Sequence, residues 1–444
     1  MKPSFARSIF FVFIFAVVAI NTSLSAPAPE PKLSPLEHLP DWKNLDCYQN
    51  GITRKDFEKR VRTIYSPNGT FFKYLRISNE SVTVYRDKKK QTPLWTLRFA
   101  ASAQATKAAR PAEGFIDCNS PVPPCCSNAK LQDLIAQKPL NGIKICLDPG
   151  HIGGEWAKME ERSFNIHERG AVEEARLNLR VCRLLASLLK QAGAEVVWTK
   201  ETLEPVTQLR PCDLRAEAKK IIFKREPHAA SYSDDPHLQQ RIEEQSWFLF
   251  YRTAEIHARA ERVNKTLKPD LTLCIHHNAS GWDIPKVPNL TDKNRLVVFT
   301  HGAYMAFELE YDDQKYALMR KLLENKSTEE IALAECVARQ MERVWDWPPE
   351  KYEDRLNVWP ANSNPYIWHR NLLASRLFNG PVVFIEGPYM NNTHIYKRLL
   401  AGDYDGMKKI DGKMRRSLYR EFAEIVAQGV MEAFSYWRSR VPIT

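Results

Sequence analysis

The stretch ICLDPGH, residues 145–151, joins an apolar run to a sharp turn that ends in a histidine. A near-continuous apolar run is typical of a β-strand that is covered on both faces of its sheet. Pro149 and Gly150 favour a tight turn directly after the strand, and such a turn can direct His151 into a cleft. The stretch therefore predicts a buried strand that delivers a candidate metal ligand.

Further apolar runs of this kind alternate with helical patterns from about residue 141 onwards. Strands are predicted at IKICL, AEVVWT, LTLCI and PVVFI, and long helices at 238–266, 328–345 and 413–438. A leucine-rich helix follows the first strand and ends at Gly193. This alternation predicts an α/β fold with a central, mostly parallel sheet flanked by helices. In such sheets the active site lies beyond the carboxyl ends of the strands.

Three of the predicted strands end in residues that are common in metal sites. These residues are His151, the pair His276 and His277, and Glu386. If the strands are parallel, their ends meet at one edge of the sheet, where a catalytic zinc site would need three protein ligands. Because neighbouring residues of a strand point to opposite faces, either His276 or His277 faces the site. The spacing alone leaves both open.

The third ligand is predicted in GAVEEARLNL, at the start of the leucine-rich helix. Glu174 shares a helical face with Leu177, Val181, Leu185 and Leu188, and this face packs against the sheet. Glu173 is rotated about 100° away and is expected to meet solvent. The helical pattern therefore favours Glu174 as the inward carboxylate.

The chain divides into segments of different composition. The predicted segments are a signal peptide at 1–25, a proline-rich start at 26–44, a small α+β accessory segment at 45–100, a linker at 101–140 and a catalytic domain at 141–444. The accessory segment is expected to be either a small domain or packing decoration on the catalytic domain. Two long insertions are predicted in the catalytic domain, near 201–250 and 281–380.

The N-terminus has the layout of a secretory signal peptide. Lys2 and Arg7 precede an apolar stretch at 9–20, and small residues follow it. An uncleaved anchor helix is the alternative, although the apolar stretch is short for a membrane span. Removal of residues 1–25 lowers the formal charge from +11 to +9, because Lys2 and Arg7 are lost and no acid is. We expect an exported chain without a transmembrane domain after processing, whose partner is an anionic polymer and not nucleic acid.

Six of the nine cysteines are expected to fall into two groups. Three lie within apolar elements and are predicted to be buried thiols, namely Cys146, Cys182 and Cys274. Three others crowd the proline-rich stretch DCNSPVPPCC, namely Cys118, Cys125 and Cys126. In an exported protein these could form a disulfide, with Cys47 or Cys212 as the other member.

Taken together, the motifs resemble those of the zinc-dependent N-acetylmuramoyl-L-alanine amidases, which cut bacterial peptidoglycan. The resemblance covers about residues 142–440 and rests on ICLDPGHIGG, EARLNL, RAERVNKTLKPDLTLCIHHNAS and GPVVFIEGPYMNN, in the family's order. It implies the phosphorylase/hydrolase-like fold of the family and one Zn²⁺ per chain. It also implies hydrolysis of the amide bond between the lactyl group of N-acetylmuramic acid and L-alanine, in cell-wall remodelling or degradation.

The resemblance also implies roles for individual residues. His151, Glu174 and His276 match the zinc ligands of the family, and Glu386 matches its catalytic base. His276, and not His277, occupies the family's His-x-Asn position.

Other residues match less informative positions. Arg259, Asn264 and Asn278 match family positions, for which we infer only a supporting role. His301 also ends a predicted strand, and it is expected either to assist the leaving group or bind substrate, or simply to be packed in the interior.

The chain departs from the family pattern in its two long insertions. Some relatives carry an inhibitory helix over the zinc, which an activator protein releases. Either insertion could act as such a lid, as a wall of the substrate groove, or as surface elaboration without regulation. The expected partners are therefore peptidoglycan and an activator that relieves a lid.

The expected location is the periplasm or cell envelope, and a Gram-negative bacterium is favoured over a Gram-positive one. Secretion is the alternative. The sequons that begin at Asn278 and Asn391 fall within the predicted site, where glycans would block it, and this favours a bacterial source.

Two other functions are compatible with parts of the pattern. A zinc carboxypeptidase uses similar ligands, but the His-x-x-Glu spacing typical of those enzymes does not begin at His151. A non-catalytic wall-binding protein with a degenerate site is the second, and the presence of all four key residues counts against it.

Overall fold

The computed structural model describes residues 29–109, 130–166, 171–232, 235–281, 289–353 and 357–439. The predicted signal peptide lies outside the described residues, as do residues 110–129 of the linker, which include the cysteines at 118, 125 and 126. Cys146, Cys182 and Cys274 are buried, as predicted, whereas Cys47 and Cys212 are exposed. Within the described ranges, no helix is both long enough and apolar enough to cross a bilayer.

The helices and strands are numbered in chain order. The helices are α1 Arg54–Arg60, α2 Ala103–Ala109, α3 Leu131–Gln137, α4 Trp156–Met159, α5 Glu174–Gln191, α6 Arg215–Arg225, α7 Pro236–Leu249, α8 Glu255–Glu261, α9 Asp312–Glu324, α10 Ser327–Trp345, α11 Leu373–Leu377, α12 Thr393–Leu400 and α13 Leu418–Arg438. The strands are β1 Leu75–Ile77, β2 Ser81–Tyr85, β3 Pro93–Arg98, β4 Lys144–Pro149, β5 Ser163–Asn165, β6 Ala171–Glu173, β7 Glu195–Trp198, β8 Leu271–His277, β9 Val297–His301, β10 Trp359–Pro360, β11 Ile367–Arg370, β12 Val382–Gly387, β13 Lys408–Ile410 and β14 Lys413–Arg415.

A seven-stranded sheet forms the centre of the described structure, in the order β10-β11-β9-β12-β8-β4-β7. The strands β7, β4, β8 and β12 run parallel to one another. The strand β9 runs antiparallel to β12, while β11 is parallel to β9 and β10 is antiparallel to β11. The predicted α/β fold with a mostly parallel central sheet is confirmed.

Helices cover both faces of this sheet. On the first face, α5, α10 and α13 pack over odd-numbered residues such as Ile145, Leu273 and Ile385. On the second face, Cys274 and Phe384 share a cluster with residues of α8 and α11. Because side chains alternate along a strand, the even-numbered His276 and Glu386 continue the second face at the carboxyl ends of β8 and β12.

The helix α5 begins directly after β6, and Glu174 is its first residue. Its buried stripe, which includes Leu177, Val181 and Leu185, packs on the first face of the sheet. Gly193, with φ of 100°, lets the chain turn back from the helix end into β7, a conformation that residues with a Cβ rarely adopt. Since the buried stripe extends into the first turn, the Glu174 side chain points towards the sheet.

The N-terminal segment forms a three-stranded antiparallel sheet in the order β1-β2-β3. Its buried residues, such as Phe57, Val82 and Leu97, lie in one hydrophobic cluster with Leu318 and Leu322 of α9. The segment therefore shares its core with α9.

The two predicted insertions differ in their structure. Residues 201–250 contain α6 and α7, which pack against each other and enclose Ile152 in their hydrophobic cluster. Residues 281–380 supply β9, β10 and β11 to the central sheet and α10 to its core. This second stretch is therefore an integral part of the fold and not a surface elaboration.

The predicted long helices agree with the structure except at one end. The prediction at 328–345 corresponds to α10, and the prediction at 238–266 corresponds to α7 and α8, joined through π-helical turns. The helix predicted at 413–438 begins only at Leu418. The residues before it fold into the hairpin β13–β14, whose turn contains Gly412 with φ of 76°.

Candidate active site

The carboxyl ends of β4, β8 and β12 bring three of the predicted residues to one edge of the sheet. β8 lies between β4 and β12, and Glu386 is the register partner of His276. His151 follows β4 after a single residue, Gly150. Glu174 approaches the same edge from the first turn of α5.

His151, Glu174 and His276 form a compact cluster of metal-binding groups, with one ligand atom of each within 4.8 Å of the others. The Oε1 atom of Glu174 lies 3.2 Å from His151 Nε2 and 3.3 Å from His276 Nδ1. Two imidazole nitrogens and one carboxylate are the donor set of many catalytic zinc sites, in which water occupies the fourth position. The chemistry and the spacing of these side chains fit a zinc ion.

Charges within the cluster shift the pKa values of its members. Burial lowers the pKa of His151, but the carboxylates of Glu174 and Glu160 outweigh burial and raise this pKa to about 9. Burial raises the pKa of Glu174, but the imidazoles of His151 and His276 hold it well below its ordinary value. The site therefore favours a negative carboxylate beside positive charge, which is the environment that a bound cation would also provide.

Arg259 holds the turn that carries His151. His151 has φ of 66°, in the left-handed region that residues other than glycine rarely adopt. The buried guanidinium donates hydrogen bonds to Asp148 Oδ1 at 2.9 Å and to the carbonyls of Pro149 and His151 at 2.9 and 3.0 Å. Its Nε donates to Glu255 at 2.7 Å. Arg259 thus touches the turn and not the cleft.

Glu160 orients the His151 ring, although no motif or periodic pattern of the sequence predicts this role. Its Oε1 lies 2.9 Å from His151 Nδ1, and its Oε2 accepts the Ile152 N–H at 3.0 Å. With Nδ1 engaged by a carboxylate, the Nε2 atom faces Glu174 and is available to a metal. Glu160 follows the short helix α4 in an irregular segment, where no periodic pattern marks it.

Asn178 explains why the two neighbouring histidines face different ways. Its Oδ1 lies 2.8 Å from His277 Nδ1, and its Nδ2 donates to the Gly150 carbonyl at 3.2 Å. Burial lowers the pKa of His277 to about 4, so this ring stays neutral and donates its Nδ1 proton to Asn178. His277 is therefore an internal residue, and His276 is the one at the cluster.

The His276 ring is held between two neighbours. It stacks on Phe384 at 4.2 Å between ring centroids. On its other side it approaches Gly150 so closely that a Cβ at residue 150 would lie 2.2–2.5 Å from three of its ring atoms. Glycine at position 150 is therefore required by the close approach of the ring.

Glu386 lies beside the cluster, and its carboxylate makes no hydrogen bond or ion pair within the ranges that the structure describes. Burial raises the pKa of this carboxyl above its ordinary value; the His276 imidazole opposes the shift and Glu174 adds to it. A buried carboxyl whose pKa is raised and whose oxygens are free of hydrogen bonds within the described residues can exchange protons with a reacting group.

The family model described as N-acetylmuramoyl-L-alanine amidase matches residues 145–411, which is more than half of the chain. The chain belongs to the N-acetylmuramoyl-L-alanine amidase family. The amidase is thus a hydrolase whose substrate is peptidoglycan, and zinc dependence is a trait of its family. The matched residues include all four residues of the predicted site.

Several solved structures are similar to the amidase at low sequence identity. Comparison with curated protein sequences gives no match. The CwlD amidase of Clostridioides difficile in complex with the GerS lipoprotein is 15% identical, with 67% of this chain and 99% of that chain covered and a TM-score of 0.35. AmiC2 of Nostoc punctiforme is 16% identical, with 66% and 96% covered and a TM-score of 0.34. Ami1 of Mycobacterium smegmatis is 13% identical, with 68% and 99% covered and a TM-score of 0.36.

His301 does not reach the active site of the amidase. Because β9 runs antiparallel to β12, its carboxyl end lies at the opposite edge of the sheet. There the buried His301 ring contacts Ser375 Oγ at 3.2 Å and Tyr304 Oη at 3.0 Å. Burial lowers the pKa of His301, and the nearby Lys321 and Arg376 lower it further. His301 is thus an interior residue, which is the packed alternative of the prediction, and it lies away from His151, Glu174 and His276.

The two asparagines that match family positions support the backbone. The Asn278 carbonyl accepts the N–H of Met390 at 2.8 Å, which fixes the loop that follows Glu386. Asn264 bonds to the backbone of Leu377 and Asn379, at 2.9 and 2.7 Å. Both residues stabilise connections between strands and helices.

Gly150→Ala is expected to lower the zinc affinity of the amidase by about 10–100-fold, the range seen when residues that support metal ligands are changed. The added methyl group would displace the His276 ring, while the rest of the fold is retained. The affinity can be measured by competition with a chromogenic chelator. Gly281→Ala is the matched control, since a Cβ at residue 281 would meet no atom within 4 Å. Equal affinities for the two variants would contradict the geometric requirement at residue 150.

Proposed function

We propose that this chain is a zinc-dependent amidase in which His151, Glu174 and His276 hold the metal and Glu386 is the catalytic base. The observation that carries the proposal is the cluster of the first three side chains, with Glu386 beside His276 in the next strand. When bound, Zn²⁺ lowers the pKa of a water molecule and polarises a carbonyl oxygen. The proposed reaction is hydrolysis of the amide between the lactyl group of N-acetylmuramic acid and L-alanine.

In this proposal the side chains of the amidase hold the metal and move one proton. Glu160 keeps His151 in the tautomer that presents Nε2, and Phe384 fixes the plane of the His276 ring. Glu386 accepts a proton from the attacking water through a carboxylate oxygen. It then delivers this proton to the nitrogen of L-alanine, which leaves as an amine. The reaction consumes one water molecule and leaves Glu386 in its original state.

We also propose that the chain is exported and acts in the periplasm or cell envelope, with secretion as the alternative. The support is the composition of residues 1–25, which resembles a signal peptide, and the location of peptidoglycan outside the cytoplasm. We propose that the exported chain consists of a proline-rich start at 26–44, a small accessory segment at 45–100, a linker at 101–140 and a catalytic domain at 141–444.

For residues 201–250 we propose the role of a wall beside the substrate groove. Their helices pack on Ile152, next to the turn that carries His151, and Trp156 contacts Phe250 at 5.2 Å between ring centroids. Within the described part of the chain, these residues make no hydrogen bond with the cluster or with Glu386. The activator that would release a lid stays a prediction.

Treatment of the purified chain with a chelator is expected to abolish the release of peptides from peptidoglycan, and added zinc is expected to restore it. The products can be identified by mass spectrometry. An amidase releases intact stem peptides that begin with L-alanine and leaves bare glycan strands. The control is a chain in which His151 is replaced by alanine, which should stay inactive when zinc is added.

Other products would contradict the proposal. Shortened peptides that remain attached to glycan would indicate a zinc carboxypeptidase. Full release of stem peptides by the chelated chain would exclude a requirement for the metal.

A further inference from the structure

A second cavity lies close to the active site and has no role in the function described so far. Its volume is about 710 Å³. It is enclosed by the end of α10 with Trp347, the starts of α12 and α13, and the hairpin β13–β14. Its walls combine apolar surface, from Val344 and Trp347, with a number of charged side chains.

Five lysine and arginine side chains line the cavity against three carboxylates, so its lining carries an excess of positive charge. Among the acids, Asp411 pairs with Lys397 and His394, Glu421 pairs with Arg398, and Asp292 accepts a hydrogen bond from Thr393. Four further cations line the cavity, and within the residues that the structure describes none of them pairs with a carboxylate: Lys293, Arg295, Lys413 and Arg415. Such a lining favours a ligand that carries negative charge.

Arg398 supplies a further cation at the cavity wall. Its side chain lines the cavity and is 6% exposed. One terminal nitrogen bonds to Glu421 at 2.7 Å and to the Arg416 carbonyl at 3.1 Å, which fixes the guanidinium beside the cavity.

The cavity lies beside the loop that follows Glu386. Asn294 and Asn392 both line it, and Asn294 Oδ1 accepts the N–H of Tyr389, three residues after Glu386. The lining of the cavity is therefore hydrogen-bonded to the chain that leaves the catalytic edge of the sheet.

We propose that this cavity binds the carboxylate-bearing distal part of the stem peptide whose first amide bond is cut beside Glu386. The proposal rests on the proposed function and adds a peptide subsite to it. The glycan part of the substrate is uncharged at the scissile amide, whereas the stem peptide carries carboxylates beyond L-alanine. The unpaired cations therefore fit the peptide, and the apolar wall fits its hydrocarbon parts.

The test compares two pairs of substitutions on the same hairpin. The first variant combines Lys413→Gln and Arg415→Gln, which removes two cations from the lining. The control combines Lys408→Gln and Lys409→Gln, which removes the same charge from residues outside the lining. Binding of a free L-Ala–D-Glu-containing tetrapeptide is measured by calorimetry. The first variant is expected to bind the peptide about tenfold more weakly than the control does, as two exposed ion pairs would predict.

A kinetic readout completes the test. The ratio of kcat/KM for a full-stem muropeptide to that for N-acetylmuramoyl-L-alanine should fall about tenfold in the first variant and keep its value in the control. Equal peptide affinity in the two variants would overturn the subsite. Equally tight binding of an acidic hexapeptide of L-residues would also overturn it, in favour of a protein partner. Calorimetry needs no turnover, so the subsite can fail or stand independently of the amidase reaction.

Discussion

Replacing Glu386 by alanine is expected to lower kcat for the release of stem peptides by about 10³-fold, within the range that general acid–base catalysis contributes. Glu386 is the register partner of His276, and its oxygens are free of hydrogen bonds within the described residues. The bound metal is expected to stay, because the cluster of His151, Glu174 and His276 does not depend on this carboxylate. The measurement is kcat together with the zinc content of the purified protein.

Glu386→Gln is the matched control for the alanine variant, because glutamine has nearly the same size and shape as glutamate. It keeps the size of the side chain and removes its capacity to accept a proton, so it should be nearly as inactive as the alanine variant. If glutamine restored most of the turnover, the carboxylate would be needed for packing and not for proton transfer. Full turnover in both variants would refute the assignment of Glu386 as the base.

The other carboxylates at the site are less suited to this role. Both oxygens of Glu160 are engaged, by His151 and by the Ile152 backbone. Glu174 lies against both imidazoles of the cluster, which hold its pKa well below the ordinary value. A weakly basic carboxylate accepts protons poorly, whereas burial raises the pKa of Glu386. The charges at the site thus suit the Glu174 carboxylate to binding a metal and the Glu386 carboxylate to accepting a proton.

The sequence predicted the elements of the central sheet better than their directions. Continuous apolar runs mark β4, β8 and β12, because both faces of these strands are covered. The run that forms β9 looks the same and also ends in a histidine, yet this strand is reversed. The direction of a strand depends on the path of the intervening chain, which no local pattern records, so the sequence left both a site role and interior packing open for His301.

The same limit applies to the candidate site. Glu174 could be chosen over Glu173 because a helical period fixes the face on which each residue lies. The pairing of Glu160 with His151 crosses an irregular segment, and the contact of the His276 ring with Gly150 joins two different strand ends. Such contacts depend on tertiary structure, so they appear only when the packed chain is known.

Replacing Arg259 by alanine is expected to destabilise the amidase by about 3–5 kcal/mol, which is the usual cost of removing one member of a buried ion pair. Arg259 is 1% exposed, and its removal would leave the carboxylates of Asp148 and Glu255 buried without their cation. The carbonyls of Pro149 and His151 would lose their donor as well. The free energy of unfolding, from urea denaturation of the two proteins, measures the effect.

Arg262→Ala separates this effect from a general loss of positive charge. Arg262 lies three residues further along the same helical run but is exposed, so its replacement is expected to change the free energy of unfolding by less than about 0.5 kcal/mol. Arg259→Lys should recover only part of the loss, because an ammonium group cannot match the fork that contacts Asp148 and two carbonyls. If Arg259→Ala lowered the free energy of unfolding by less than about 1 kcal/mol, water would be replacing the guanidinium, and the turn at His151 would be stable without Arg259.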